Sequence, residues 1–166
     1  MNIKLLVFLV TLFTSQLSFG QIKIEDLKID TNITGFHFAA NFQGTIVYTP
    51  NGKADIGSQT KPSAFSISIL PNATPLTARL QIEQFLSWSV KDGYQHTDVV
   101  NKDTIVNGTK LYSVSLTETL KGTEYKNRVF HGFFIKDNSA VIFISGDLDN
   151  GKYIEGFEKT FYRITM

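Results

Sequence analysis

The chain has no cysteine, which removes disulfides, thiolate nucleophiles, cysteine-ligated zinc, iron–sulfur clusters and covalently attached c-type haem together. It also lacks a basic run: both charge signs are interspersed, and the formal net charge is +1. Electrostatic capture of nucleic acid or anionic lipid has no footprint in such a pattern. Beyond the N-terminal segment, the longest run of aliphatic and aromatic residues is Val141-Ile142-Phe143-Ile144. That is the length of a strand and too short to span a bilayer. G-x-S-x-G, P-loop and G-x-G-x-x-G patterns are all missing, which excludes the usual hydrolase elbow, NTPase and dinucleotide readings.

What is present starts with a targeting pattern. Met1 to Gly20 carries one cation, Lys4, then an apolar run from Leu5 to Phe13, a polar patch Thr14-Ser15-Gln16, and small residues Ser18 and Gly20. These suit the −3 and −1 positions of a signal-peptidase site, and the run falls short of the roughly 20 residues of a membrane anchor. The expectation is a signal peptide over 1–20, cleaved after Gly20, and a single α+β domain over 21–166. The product is expected to be secreted or periplasmic, with no membrane span after cleavage. Loss of Lys4 from the 16 Lys+Arg balances the cations against the 15 Asp+Glu.

Residues 21–62 show the least regular pattern; the one clear strand there, Thr45-Ile46-Val47-Tyr48-Thr49, is stopped by the turn Pro50-Asn51-Gly52. Phe65-Ser66-Ile67-Ser68-Ile69 alternates apolar and polar residues as a half-buried strand does, and Pro71 closes it. Thr74-Pro75 then reads as an N-cap with proline in the first helical position. Ala78, Ile82, Phe85, Leu86 and Ser89 share one face, and Asp92-Gly93 ends the helix. Asn107-Gly108, Lys121-Gly122 and Asp137-Asn138 divide the next segment into a four-strand meander. Its last strand, Ala140 to Ile144, is apolar at every position, which predicts a central strand covered on both faces. Ile154, Phe157, Phe161 and Ile164 mark a C-terminal helix, with Asp149 as its expected cap.

This order resembles the PsbP-like fold. The likeness is carried by Phe65-Ser66-Ile67-Ser68-Ile69-Leu70-Pro71, Ala140-Val141-Ile142-Phe143-Ile144-Ser145 and Phe157-Glu158-Lys159-Thr160-Phe161, and it spans Ser63 to Met166. The resemblance implies an antiparallel sheet with helices packed on its faces, an α/β/α sandwich, in a protein that binds partners without catalysis.

Candidate chemistry is sparse. Ser58-Gln59-Thr60-Lys61 matches S-x-x-K, and Tyr125-Lys126-Asn127 adds a Y-x-N. Pro62, however, follows the lysine where a helix should continue, and no Lys-Thr-Gly follows Tyr125. Asp147, Asp149 and Glu158 fit positions 1, 3 and 12 of a calcium loop, with Glu155 nearby, but Gly151 and Lys152 occupy positions 5 and 6, where a ligand and then a glycine belong. His37, His96 and His131 lack ligand spacing; His96 and His131 could meet on neighbouring strands, with no third ligand to join them. Trp88 lies off its helix's apolar stripe and is a candidate partner anchor. Asn32, Asn72 and Asn107 head glycosylation sequons placed where turns and caps also favour asparagine.

No catalytic, cofactor-binding or metal-ligating set is assigned on this basis, and no cofactor is expected. The expected function is a non-enzymatic binding or accessory protein with a protein or small-molecule partner and no nucleic acid. The rival is a small extracytoplasmic hydrolase or metal-dependent enzyme using Ser58 and Lys61, or Asp147 and Asp149.

Overall fold

The computed structural model describes residues 22–54 and 63–166. Two 3-10 turns, Ile24–Asp26 and Thr31–Ile33, precede the first strands, β1 (His37–Phe42) and β2 (Thr45–Thr49). There follow β3 (Ala64–Pro71), α1 (Pro75–Lys91), β4 (Tyr94–Val106), β5 (Thr109–Leu120), β6 (Lys126–Lys136), β7 (Ser139–Asp147) and α2 (Ile154–Tyr162). All seven strands form one antiparallel sheet in the order β1-β2-β3-β7-β6-β5-β4. The fold is therefore α+β, as the sequence pattern indicates.

The meander forms where its turns were read. Asn107-Gly108 and Asp137-Asn138 hold positive φ at both central positions, the geometry that matches the twist of tight hairpins. The Lys121-Gly122 connection is longer and runs to Tyr125 before β6 starts. β7 occupies the middle of the sheet between β3 and β6, which explains why Ala140 to Phe143 are apolar and buried without alternation. β3 reaches β7 by pairing Phe65 with Ser145 and Ile67 with Phe143.

Alternate side chains of β6 and β7 belong to two different clusters. Val129, Phe133, Ala140 and Ile142 pack with Ala78 and Ile82 of α1. Phe130, Phe134, Val141 and Phe143 pack with Phe157 and Phe161 of α2, together with Phe36 and Phe65. The second cluster is rich in phenylalanine, with Phe65 stacked on Phe143 at 5.1 Å and Phe36 edge-on to Phe157 at 5.4 Å. Each such fully buried ring contributes about 1.5–3 kcal/mol over an exposed one.

Thr74 caps α1 by accepting the Thr77 amide, and the Thr77 hydroxyl accepts the Thr74 amide in return. Gly93, at φ +95°, ends the helix. Only Ala78 and Ile82 of α1 are fully buried, while Leu76, Leu80 and Val90 are exposed. Two expectations need correction at α2. Ile164 lies beyond the helix, and Asp149 is not its cap: the amide of Tyr153, the residue before the helix, is taken by Asp147. Asp147 is fully buried at the end of β7, close enough in space to reach over the loop, whereas Asp149 is drawn to Ser63.

Candidate functional site: an aromatic-floored groove beside α1

α1 rests on β6, with further contacts to β4 and β7, and a groove of about 340 Å³ opens between it and the outer strands. Its helical wall comes from Arg79, Ile82, Glu83 and Leu86, spaced so that one flank of α1 faces the sheet edge. Register sets the other wall. Asn101 pairs with Val114, and Asp103 pairs with Tyr112, which puts all four on the groove side. Tyr112 also pairs with Phe133 of β6, and the two rings stack at 4.7 Å and 11° to make a flat floor.

Two cations converge on that floor. The Arg79 guanidinium lies 5.4 Å and the Lys110 ammonium 4.8 Å from the centre of the Tyr112 ring, within cation–π range. Lys110 also approaches Asp103 at 3.8 Å, and the Tyr112 hydroxyl is the main influence raising its ammonium above the ordinary lysine value.

Beyond Leu86 a polar network ties α1 to the sheet. Ser89 Oγ donates to the Leu86 carbonyl at 2.9 Å and lies 2.6 Å from His96 Nε2. With the serine proton committed to Leu86, the imidazole nitrogen is the donor in the second bond. The same Nε2 sits 3.4 Å from Glu118 Oε1, and Asn127 Nδ2 donates to Glu118 Oε2 at 2.9 Å. A serine relay requires the acid on the other ring nitrogen, leaving Nε2 free to take the serine proton. Here serine and acid share one nitrogen, so the arrangement suits a structural network more than proton transfer. Beside it, burial, then Tyr94 and Glu118, push the Tyr125 phenol up to about 12. Tyr94 is raised by burial first and by Glu118 and Asp92 next.

The residues singled out from sequence are dispersed. Ser58 and Lys61 lie outside the described residues. Asp147 and Asp149 do come together, through Ser63: its hydroxyl is 2.6 Å from Asp149 Oδ2 and 3.4 Å from Asp147 Oδ1, and it accepts the Leu148 amide at 2.9 Å. Both Asp147 oxygens are occupied, Oδ1 by the Asp149 amide and Oδ2 by that of Tyr153. Glu158 points to Lys102 at 3.1 Å and Glu155 pairs with Lys159. His37 starts β1 and is exposed. His96 and His131 are not on neighbouring strands, because β5 separates β4 from β6. His131 is buried, and burial lowers its imidazole to about 4. Among the described residues no group of three or more His, Asp or Glu is poised to hold a metal. Trp88 is half-buried, edge-on to Phe85 at 5.5 Å.

Arg79, Asp103, Tyr112 and Phe133 carry the groove, and sequence reasoning assigned none of them to a site; Asn127, in the network beside it, entered only through the Y-x-N pattern. The available signal was the alternation of Tyr112, Val114 and Leu116; what lay outside it was the register bringing Asp103 and Phe133 beside Tyr112.

No family model and no curated protein matches the chain. Among solved structures, cyanobacterial PsbP (CyanoP) from Synechocystis sp. PCC 6803 is similar at a TM-score of 0.51 and 12% identity, over 90% of this chain and 97% of that one. A Pseudomonas aeruginosa protein of unknown function gives a TM-score of 0.47 at 11% identity, over 77% of this chain and 86% of that one. The cyanobacterial likeness is one of fold: an α+β domain of PsbP-like type. No helix among the described residues is long and apolar enough to cross a membrane.

Proposed function

We propose that the chain is a secreted or periplasmic accessory protein that binds a protein or small-molecule partner without catalysis, through the groove between α1 and β4–β5. In this reading residues 1–20 are a signal peptide removed after Gly20, and residues 21–166 are one domain. Its layers are an α/β/α sandwich, supported by the separate clusters that α1 and α2 make with alternate residues of β6 and β7. The observation that carries the proposal is the groove itself: a stacked aromatic floor, aliphatic walls and a charged rim, a combination typical of ligand sites. The shared use of His96 Nε2 by Ser89 and Glu118 supports a binding role over acyl transfer.

Two measurements test it. N-terminal sequencing of the exported protein should begin at Gln21. A photocrosslinking side chain at Glu83, on the groove wall, should capture a partner in the native cells, and one at exposed Lys136 should not; Tyr112→Ala should abolish the capture. Equal capture from both positions, or none from Glu83, would overturn the groove as the binding site.

A further inference from the structure

We infer that His96 is a proton-operated latch for α1: as an imidazolium it clamps the C-terminal half of the helix to the sheet, and as a neutral ring it lets that half loosen. The latch concerns how α1 is attached and needs no partner; its consequence for partner capture rests on the groove being the binding site. The first observation is how little else holds that half of the helix. The buried residues of α1 are Ala78 and Ile82, both in its N-terminal half. Beyond them Phe85, Leu86 and Trp88 are half-buried and Val90 is exposed. The chain leaves α1 through Gly93, at φ +95°, and enters β4 at once, so Ser89 and His96 meet across one tight turn and their 2.6 Å bond closes it. Ser89 also holds the carbonyl of Leu86, a residue of the groove wall, so this tie bears on the shape of the groove.

The second observation is the charge around that bond. Glu118 of β5 is buried, with Oε1 facing His96 and Oε2 taken by Asn127 of β6. No Lys or Arg among the described residues pairs with it, so the imidazole is its one source of positive charge. A buried carboxylate without a counter-charge is costly. The imidazolium supplies that charge, turns the bonds to Ser89 and Glu118 into charge-assisted ones, and sets a cation at the carbonyl end of α1, where the helix dipole favours it. The other titratable groups around the ring do not compete. Burial holds His131 of β6 at about 4, so it stays neutral between about pH 5 and about pH 8. Tyr94 and Tyr125 are raised, chiefly by burial, and are neutral as well. Lys91 and Asp92, at the helix end, are exposed and of opposite sign. Histidine is the side chain that changes charge in this range, and His96 is the one that touches α1.

The test is backbone hydrogen exchange at about pH 5.5 and about pH 8, corrected for intrinsic rates, with the state of the His96 ring read from its nitrogen shifts. Protection of the amides in the last turns of α1 should be about two- to fivefold higher at the lower pH, the effect of a cation at a helix C-terminus, while protection in β5 and β6 does not rise. His96→Gln can still donate to Ser89 but carries no charge, and should flatten the difference; His131→Gln should keep it. Ser89→Ala, a change that the helix accommodates, should shrink it. Equal protection at both pH values in the parent, a difference that survives in His96→Gln, or a His96 ring still neutral at about pH 5.5 would each overturn the latch. Photocrosslinking from Glu83 at the same two pH values separates this from the groove reading. No capture at either pH with the latch intact sinks the groove and spares the latch, and capture without a protection difference does the reverse.

Discussion

Gly132 lies directly beneath the ring of Phe161: a Cβ placed on Gly132 would sit 2.7 Å from both Cε1 and Cζ of that ring. α2 therefore approaches β6 as closely as a strand without a side chain permits. Gly132→Ala must displace a ring that also contacts Phe130, Phe134 and Phe143, and overpacking of this kind costs about 1–3 kcal/mol. Chemical denaturation should show that loss. Phe161→Leu in the Gly132→Ala background should recover part of it, because the flat ring is what the new methyl strikes. A Gly132→Ala protein as stable as the parent would mean that α2 does not pack as described.

Asp147 is the anchor between β7 and α2. Its two oxygens accept the Asp149 and Tyr153 amides, with the Ser63 hydroxyl at 3.4 Å. Asp147→Ala leaves the part-buried amides of Asp149 and Tyr153 without their acceptor, each worth about 1 kcal/mol, so a destabilisation of about 2 kcal/mol is expected in urea unfolding. Asp149→Ala, at an exposed residue, should cost less than about 1 kcal/mol. Because the Asp147 oxygens are already engaged, millimolar calcium should leave the melting temperature unchanged. A shift that grows with calcium concentration would instead support a cation site at this loop.

How much of this was legible in the sequence depends on how local the cause was. The Asn107-Gly108 and Asp137-Asn138 hairpins and the Thr74 cap of α1 are set within a few residues, and the pattern shows them directly. The central place of β7 was legible because burial on both faces suppresses alternation. β1 was not: its register shifts between Phe38 and Ala40, and most of its side chains are exposed or half-buried, so no periodicity survives. The choice between Asp147 and Asp149 at α2 depended on Ser63, far away in the chain. The groove depended on the pairing of three strands, which no single segment encodes.

His131 should make the protein acid-sensitive. Burial, with a smaller contribution from His96, lowers its imidazole from the ordinary 6.5 to about 4, and Nδ1 accepts the Ser145 amide at 3.4 Å, which requires it to be unprotonated. Between those values the unfolded chain binds a proton that the folded one refuses, so stability falls as pH drops from 6.5 towards 4. The full shift corresponds to about 3 kcal/mol. Denaturant unfolding at several pH values should show a slope of up to one proton in this window, and His131→Gln should remove it. An unchanged slope in the variant would assign acid sensitivity elsewhere.

Tyr125 gives the opposite limb. Burial is the first cause of its raised phenol, with Tyr94 and Glu118 adding to it, and together they push it up to about 12. The unfolded tyrosine loses its proton near 10, before the folded one does. The stability that the folded neutral phenol represents is present below 10 and is lost as pH rises towards 12. Ultraviolet titration should find at least one late-titrating tyrosine, which Tyr125→Phe removes. Glu118→Gln should bring that titration down while leaving it above 10, because burial remains when the carboxylate charge is gone. A fall to 10 in Glu118→Gln would make charge, and not desolvation, the dominant cause.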